Sequence, residues 1–248
     1  MFRRNQQSRR SFLSALVLIL GLLLPTSKPQ AQSVGNPNPQ VIPPSASLPY
    51  SQWSARSWQW ALALRPGPPE VHPFNGCPDP ADAGQSGPVW FLAGAGSNPP
   101  PPSCYVTIPA GKSLFVALAD TECSSLEDPP FHGDTAAQQT TCANYWANHI
   151  VQASLFFEID GAPLKNLARY RFTSPQFAFT APTPWIFGAT GGSGTSVGDG
   201  YYLMLPPFSG GSHHTLHFGG AFHFSIAEGD DFNADFGFEG TYHLTVAP

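Results

Sequence analysis

Charge is what this sequence has least of. Only 11% of its 248 residues are Asp, Glu, Lys or Arg. Five of the eleven basic residues fall within residues 1–31, so the rest of the chain carries six basic against 16 acidic groups, a net of −10. A nucleic-acid partner requires a basic face that displaces counterions, and none can be assembled here. An anionic membrane surface is disfavoured for the same reason. Beyond residue 31 no apolar run approaches the roughly 20 residues that span a bilayer, so the mature chain has no expected transmembrane segment. Several catalytic signatures are missing too. GGSGT (191–195) lacks the final Gly of a nucleophile elbow, and there is no P-loop, no dinucleotide fingerprint and no H-E-x-x-H. The sequence therefore leaves open whether the protein is an enzyme. With 42% hydrophobic and 13% aromatic residues, wholesale disorder is excluded.

The N-terminus, MFRRNQQSRRSFLSALVLILGLLLPTSKPQAQ, has a basic head, an apolar stretch at 12–24 and a short polar region ending near Ala31. These are the three parts of an export signal, and its apolar run is too short to anchor. Ser8-Arg9-Arg10-Ser11-Phe12-Leu13 resembles the twin-arginine motif, with Ser14 in place of the final Lys; an arginine-rich Sec signal is the competing reading. The protein is thus expected to be exported, to the periplasm or the exterior. Its four cysteines, Cys77, Cys104, Cys123 and Cys142, lie beyond the signal, and no C-x-x-C spacing points to a zinc ribbon or redox motif. An even count in an oxidising compartment predicts two disulfides. Of three pairings, Cys77–Cys104 and Cys123–Cys142 are preferred because each closes a local loop.

Three segments follow from composition: a signal at 1–31, a Pro-rich extended linker at 32–49, and one domain at 50–248. YSQWSARSWQWALAL (50–64) spaces Trp53, Ser57, Trp60 and Leu64 as one helical face, with Ser51 available as cap and Pro66-Gly67-Pro68-Pro69 as stop. A second helix is predicted over 134–150, capped by Asp134. Short aromatic or β-branched runs, from PVWFLAG (88–94) to TYHLTV (241–246), alternate with Gly and Pro at nearly even spacing. That rhythm predicts a mainly β protein: an antiparallel β-sandwich, such as a jelly roll or an immunoglobulin-like fold, with one or two docked helices. Asp160-Gly161 reads as a turn. The Gly-rich stretch 188–200 reads as a mobile loop, and Gly219-Gly220 as a hairpin turn.

Three clusters could carry chemistry. The first is histidine. If a hairpin turns at Gly219-Gly220, His214 and His223 share one face, His213 and His217 share the other, and His243 could supply a third ligand. Zn²⁺ or Cu²⁺ suits imidazole better than Ca²⁺ does. The second is acidic: Asp120 and Glu122, two apart at a strand end, with His132 nearby, a set suited to acid–base work or cation binding. The third is Asp231, Asn233 and Asp235, which alternate like calcium-loop ligands, although Phe236 and Tyr242 stand where an EF-hand needs Gly and Glu. Against each stands a plain alternative: hydrogen-bonded imidazoles on strands, or a solvated acidic loop.

QSGPVWFLAG (85–94), CYVTIPAGKSLFVALADTECS (104–124), DGYYLMLPPFSGGSHHTLHFGG (199–220) and TYHLTV (241–246) together resemble a group of exported microbial proteins of unassigned function. The aromatic helix at 50–64 fits the same group, while the acidic EGDDFNADF (228–236) departs from it. The resemblance implies an exported, Cys-stapled, mostly β domain and no reaction. A binding module for carbohydrate or another cell-envelope ligand is the leading expectation, since aromatic faces stack on sugar rings. A His-ligated metal enzyme or carrier and a structural envelope protein are the alternatives.

Overall fold

The computed structural model describes residues 38, 40–45, 49–67, 71–94, 103–188 and 190–248. The export-signal reading of 1–31 lies outside them. Among the described residues, ten strands and two α-helices are arranged in chain order as α1 (Tyr50–Leu62), β1 (Val89–Leu92), β2 (Ser103–Ile108), β3 (Ser113–Ser124), α2 (Ala136–Asn148), β4 (Phe156–Ile159), β5 (Ala162–Pro163), β6 (Arg171–Thr173), β7 (Phe177–Ala181), β8 (Gly192–Leu205), β9 (His213–Phe224) and β10 (Ala234–Val246). The protein is mainly β, with two open five-stranded sheets. Sheet one runs β1-β3-β8-β6, with β7 also paired to β8, and sheet two runs β2-β10-β9-β4-β5. Buried residues of both sheets, among them Phe115, Tyr202, Leu216, Phe218 and Leu244, form one hydrophobic core, which makes the arrangement a sandwich.

The sheets are mixed, not antiparallel throughout: β1 pairs parallel with β3, and β2 pairs parallel with β10. The cause is the route of the chain. After β1 it crosses to sheet two for β2 and returns for β3, so β3 arrives beside β1 in the same direction. The Asp160-Gly161 turn is a two-residue hairpin, with both residues at positive φ and Ile159 opposite Ala162.

Both helices rest on sheet one, α1 against β6, β7 and β8, and α2 against β3 and β8. Helix α1 is buried on more than the predicted stripe. Trp58 as well as Trp60 is buried, and Ser54, Ala55 and Ser57 let the helix approach closely. Its N-cap is Pro49 with no side-chain bond, so Ser51 does not cap it. The N-cap of α2 is Thr135, not Asp134. Thr135 Oγ1 accepts from the Gln138 amide at 3.3 Å, and Gln138 Oε1 accepts from the Thr135 amide at 3.0 Å, which completes a capping box. The disulfides are Cys77–Cys104 and Cys123–Cys142, as the local-loop argument predicts. One ties the segment before β1 to β2, and the other ties β3 to α2. Closing loops of this length stabilises by about 3 kcal/mol each. Two such bonds fit an oxidising environment.

Three sequence expectations need correction. The Gly-rich stretch is not a mobile loop: from Gly192 it is β8, the strand that β3, β6 and β7 all pair with. Its glycines answer to close packing, since a Cβ at Gly200 would stand 2.4 Å from Asp120 Cα. Gly219 and Gly220 are not a turn but the middle of the unbroken strand β9, where a Cβ at Gly219 would meet Phe238 O at 2.5 Å. The described part of the Pro-rich linker lies on the domain: Asn38 donates to Lys165 O at 2.7 Å, and the Ile42 amide donates to Met204 O at 2.8 Å. No helix among the described residues is long and apolar enough to cross a membrane.

Candidate functional site: an aromatic cleft with one acid

Where the two sheets part there is a cleft of about 690 Å³. One wall is sheet two. Side chains alternate along a strand, so Phe222 and Phe224 of β9 face the cleft together with Phe236 and Phe238 of β10. Phe224 is the centre of this wall, with ring centroids 5.0 Å from Phe232, 5.8 Å from Phe236 and 5.6 Å from Trp146 of α2. Phe131 continues the row by stacking on Trp146 at 4.5 Å. The other wall is sheet one, from Leu118 to Thr121, with Trp58 beside it. Phe74 packs on Trp58 at 5.5 Å and on Phe187 at 6.0 Å.

Exposure marks this surface as unusual. Four phenylalanines in the described residues are exposed, Phe131, Phe187, Phe232 and Phe236, and all four line the cleft. Single exposed apolar residues are ordinary on a protein surface, but a contiguous aromatic patch in a concavity marks a binding site.

Among the described residues, Asp120 is the one ionisable residue lining the cleft. It sits on β3 opposite Gly200, half-buried. The Trp58 indole donates to the Tyr202 hydroxyl at 3.1 Å, and the Tyr202 hydroxyl interacts with the Asp120 carboxylate. Burial pushes the Asp120 carboxyl up to about 7, the Tyr202 hydroxyl opposes that shift, and the neighbouring Asp199 charge adds to it. Asp199 is buried on β8 and satisfied by Arg171 of β6, which reaches its two oxygens at 3.3 and 2.7 Å.

Glu122, two residues along β3, is also buried. It accepts from Ser196 Oγ, and burial together with the nearby Glu127 charge raises its carboxyl well above the usual range. Glu127, itself raised by burial, accepts from Ser124 Oγ at 2.9 Å. His132 does not join Asp120. Its ring bonds Glu127 O at 2.8 Å and Asp134 at 3.0 Å on the surface. The acidic cluster therefore divides into Asp120 at the cleft, Glu122 in the interior and His132 outside.

The histidines do not assemble as drawn from sequence. Because β9 is continuous, His214 and His223 are nine residues apart, on opposite faces and roughly 30 Å from each other. Each imidazole has its own partner. His214 bonds Asp160 at 2.7 Å and stacks on Phe208 at 3.8 Å; His217 bonds Glu239 at 2.7 Å. His223 bonds Asp235 at 2.7 Å, and His243 stacks on Tyr105 at 4.6 Å and bonds Ser103 Oγ at 3.0 Å. His213 lies 3.2 Å from Thr245 Oγ1. Two of these contacts, His223 with Asp235 and His213 with Thr245, join cross-strand partners in register, and His217 also lies 3.6 Å from its own register partner Glu158, which is how sheet surfaces pair polar groups. The calcium-like triplet also disperses: Asn233 Oδ1 accepts from the Ile226 amide, and Asp235 goes to His223. Among the described residues no three His, Cys, Asp or Glu groups converge as a metal set.

Sequence reasoning passed over His72, Tyr202, Asp199 and the phenylalanine wall. His72 is structural: Nδ1 accepts from the Phe74 amide at 3.1 Å, so Nε2–H donates to Ala61 O at 2.9 Å, and burial lowers its pKa. The signal for the wall was the period-two spacing of Phe222, Phe224, Phe236 and Phe238, legible as one face of two strands and indistinguishable from ordinary core until the sheets are seen to part. No protein-family model matches the chain, and no curated protein matches it.

Proposed function

We propose that this chain is an extracytoplasmic binding protein whose aromatic cleft holds an apolar organic molecule. The observation that carries this is the gathering of the four exposed phenylalanines of the described residues around one concavity. Burying such rings against a ligand is worth about 25 cal/mol per Å² of apolar area removed from water. Between the two ligand classes weighed from sequence, the lining favours the apolar one. A sugar needs many hydrogen bonds, and Asp120 and Thr121 are the hydrogen-bonding side chains that line the cleft apart from the Trp58 and Trp146 indoles. The signal at 1–31 delivers the protein to the periplasm or exterior through the twin-arginine route, and the chain groups with the exported microbial proteins whose motifs it resembles. The two disulfides support such a destination.

The test is fluorescence titration with N-phenyl-1-naphthylamine, a neutral aromatic probe that brightens in apolar surroundings. Wild type should bind it saturably, at one per chain. Phe232→Ala with Phe236→Ala, both at exposed positions, should weaken binding about tenfold, with far-ultraviolet circular dichroism unchanged. Absence of saturable binding, or equal binding by both proteins, removes the reading.

A further inference from the structure

We propose that the natural ligand of the cleft is an organic cation: an apolar body carrying one ammonium-type group that meets Asp120. This rests on the binding reading above and narrows it to a ligand class.

Three observations carry it. First, among the described residues Asp120 is the single ionisable group in a lining that is otherwise uncharged and mostly aromatic, so the charge selectivity of that lining is set by its carboxylate. Second, among the described residues Asp120 has no basic side chain paired with it. The nearby cation, Arg171, is committed to Asp199 and Asn148, and the Tyr202 hydroxyl can offer Asp120 a single donor. An ionised carboxylate accepts several more. A ligand ammonium would supply the missing counter-charge, whereas a ligand carboxylate would face Asp120 with Asp199 behind it. Third, ring faces present their negative quadrupole to whatever they enclose, and a cation desolvated among them is attracted for that reason. The raised protonation range of Asp120 agrees with a carboxylate short of positive charge. Neutral hydrocarbon would satisfy the rings and leave Asp120 without purpose at the wall.

The experiment compares three probes on one ring system, 2-(1-naphthyl)ethylammonium, 2-(1-naphthyl)ethanol and 1-naphthylacetate. Binding is measured by calorimetry at about pH 8.5, above the titration of Asp120 and below that of the amine. In wild type the ammonium should bind about tenfold tighter than the alcohol, and the acetate weakest. In Asp120→Asn the ammonium-to-alcohol ratio should fall to about one, near-ultraviolet circular dichroism of the Trp58 region reporting that the fold is kept. Equal affinities in wild type, or a preference that persists in Asp120→Asn, overturn the cation assignment and leave the apolar cleft standing. If none of the three binds, the cleft reading falls along with it.

Discussion

Gly198 has no side chain because the Trp58 indole occupies its place. A Cβ on Gly198 would stand 2.4 Å from Trp58 Nε1, the same nitrogen that donates to the Tyr202 hydroxyl at 3.1 Å. A strand glycine, a helix tryptophan and the acid at the cleft are thus linked through the packing of Trp58 and the Tyr202 hydroxyl.

Gly198→Ala should therefore push Trp58 off Tyr202. Overpacking at such a contact costs about 1–3 kcal/mol. Urea unfolding should show the loss, and tryptophan emission should shift as the indole leaves its partner. An unchanged midpoint and spectrum would mean that α1 slides freely on β8.

Asp120 gives the protein a pH dependence with a definite sign. Its folded-state pKa, about 7, is above the ordinary carboxylate value, so between about pH 4 and pH 7 the folded state holds more proton than the unfolded one. From this group stability is highest below pH 4, falls as pH rises to 7, and levels off above. Asp120→Asn removes the dependence. The variant should gain roughly 1–3 kcal/mol over wild type at pH 8, the difference vanishing near pH 4. Denaturant midpoints of both proteins across that range check it; a constant difference would place the titration elsewhere.

The Arg171–Asp199 pair predicts a different asymmetry. Arg171→Met leaves a buried carboxylate without its counter-ion and should cost about 3–5 kcal/mol. Replacing both, Arg171→Met with Asp199→Leu, should recover much of that loss, because the uncompensated charge has gone. Thermal unfolding of the single and double variants separates the two cases, and a double variant no better than the single would contradict the account.

Local chemistry was readable where it was local. The Trp-rich helix, the Asp160-Gly161 turn and the two short-range disulfides each depend on residues near in sequence, and each reads correctly from spacing alone. The capping box of α2 escaped by one residue, since Asp134 beside Thr135 is an equally good cap by type. The glycines misled because their reason is tertiary. Gly194, Gly198 and Gly200 look like loop composition, yet each is small because Leu126, Trp58 or Asp120 presses against it from another element. The same holds at Gly219 and Gly220, and with that mistaken turn went the pairing of His214 with His223. Of the site, Asp120 stood out as an acid at a strand end. Its partner Tyr202 and the phenylalanine wall did not, because their meeting depends on where two sheets separate, and no window of sequence encodes that.

Strand order has a further consequence, for the timing of folding. β10, the last of the ten strands in sequence, is not at the rim of sheet two but inside it, between β2 and β9. Until residues 234–246 have been made, β2 has no neighbour in that sheet and β9 presents an open row of amides and carbonyls to any other chain it meets. Synthesis therefore leaves an interval, from the end of β9 at Phe224 to the end of β10 at Val246, in which half of the sandwich cannot close. The growing chain needs either a holding partner or a quick finish to avoid pairing with its own copies.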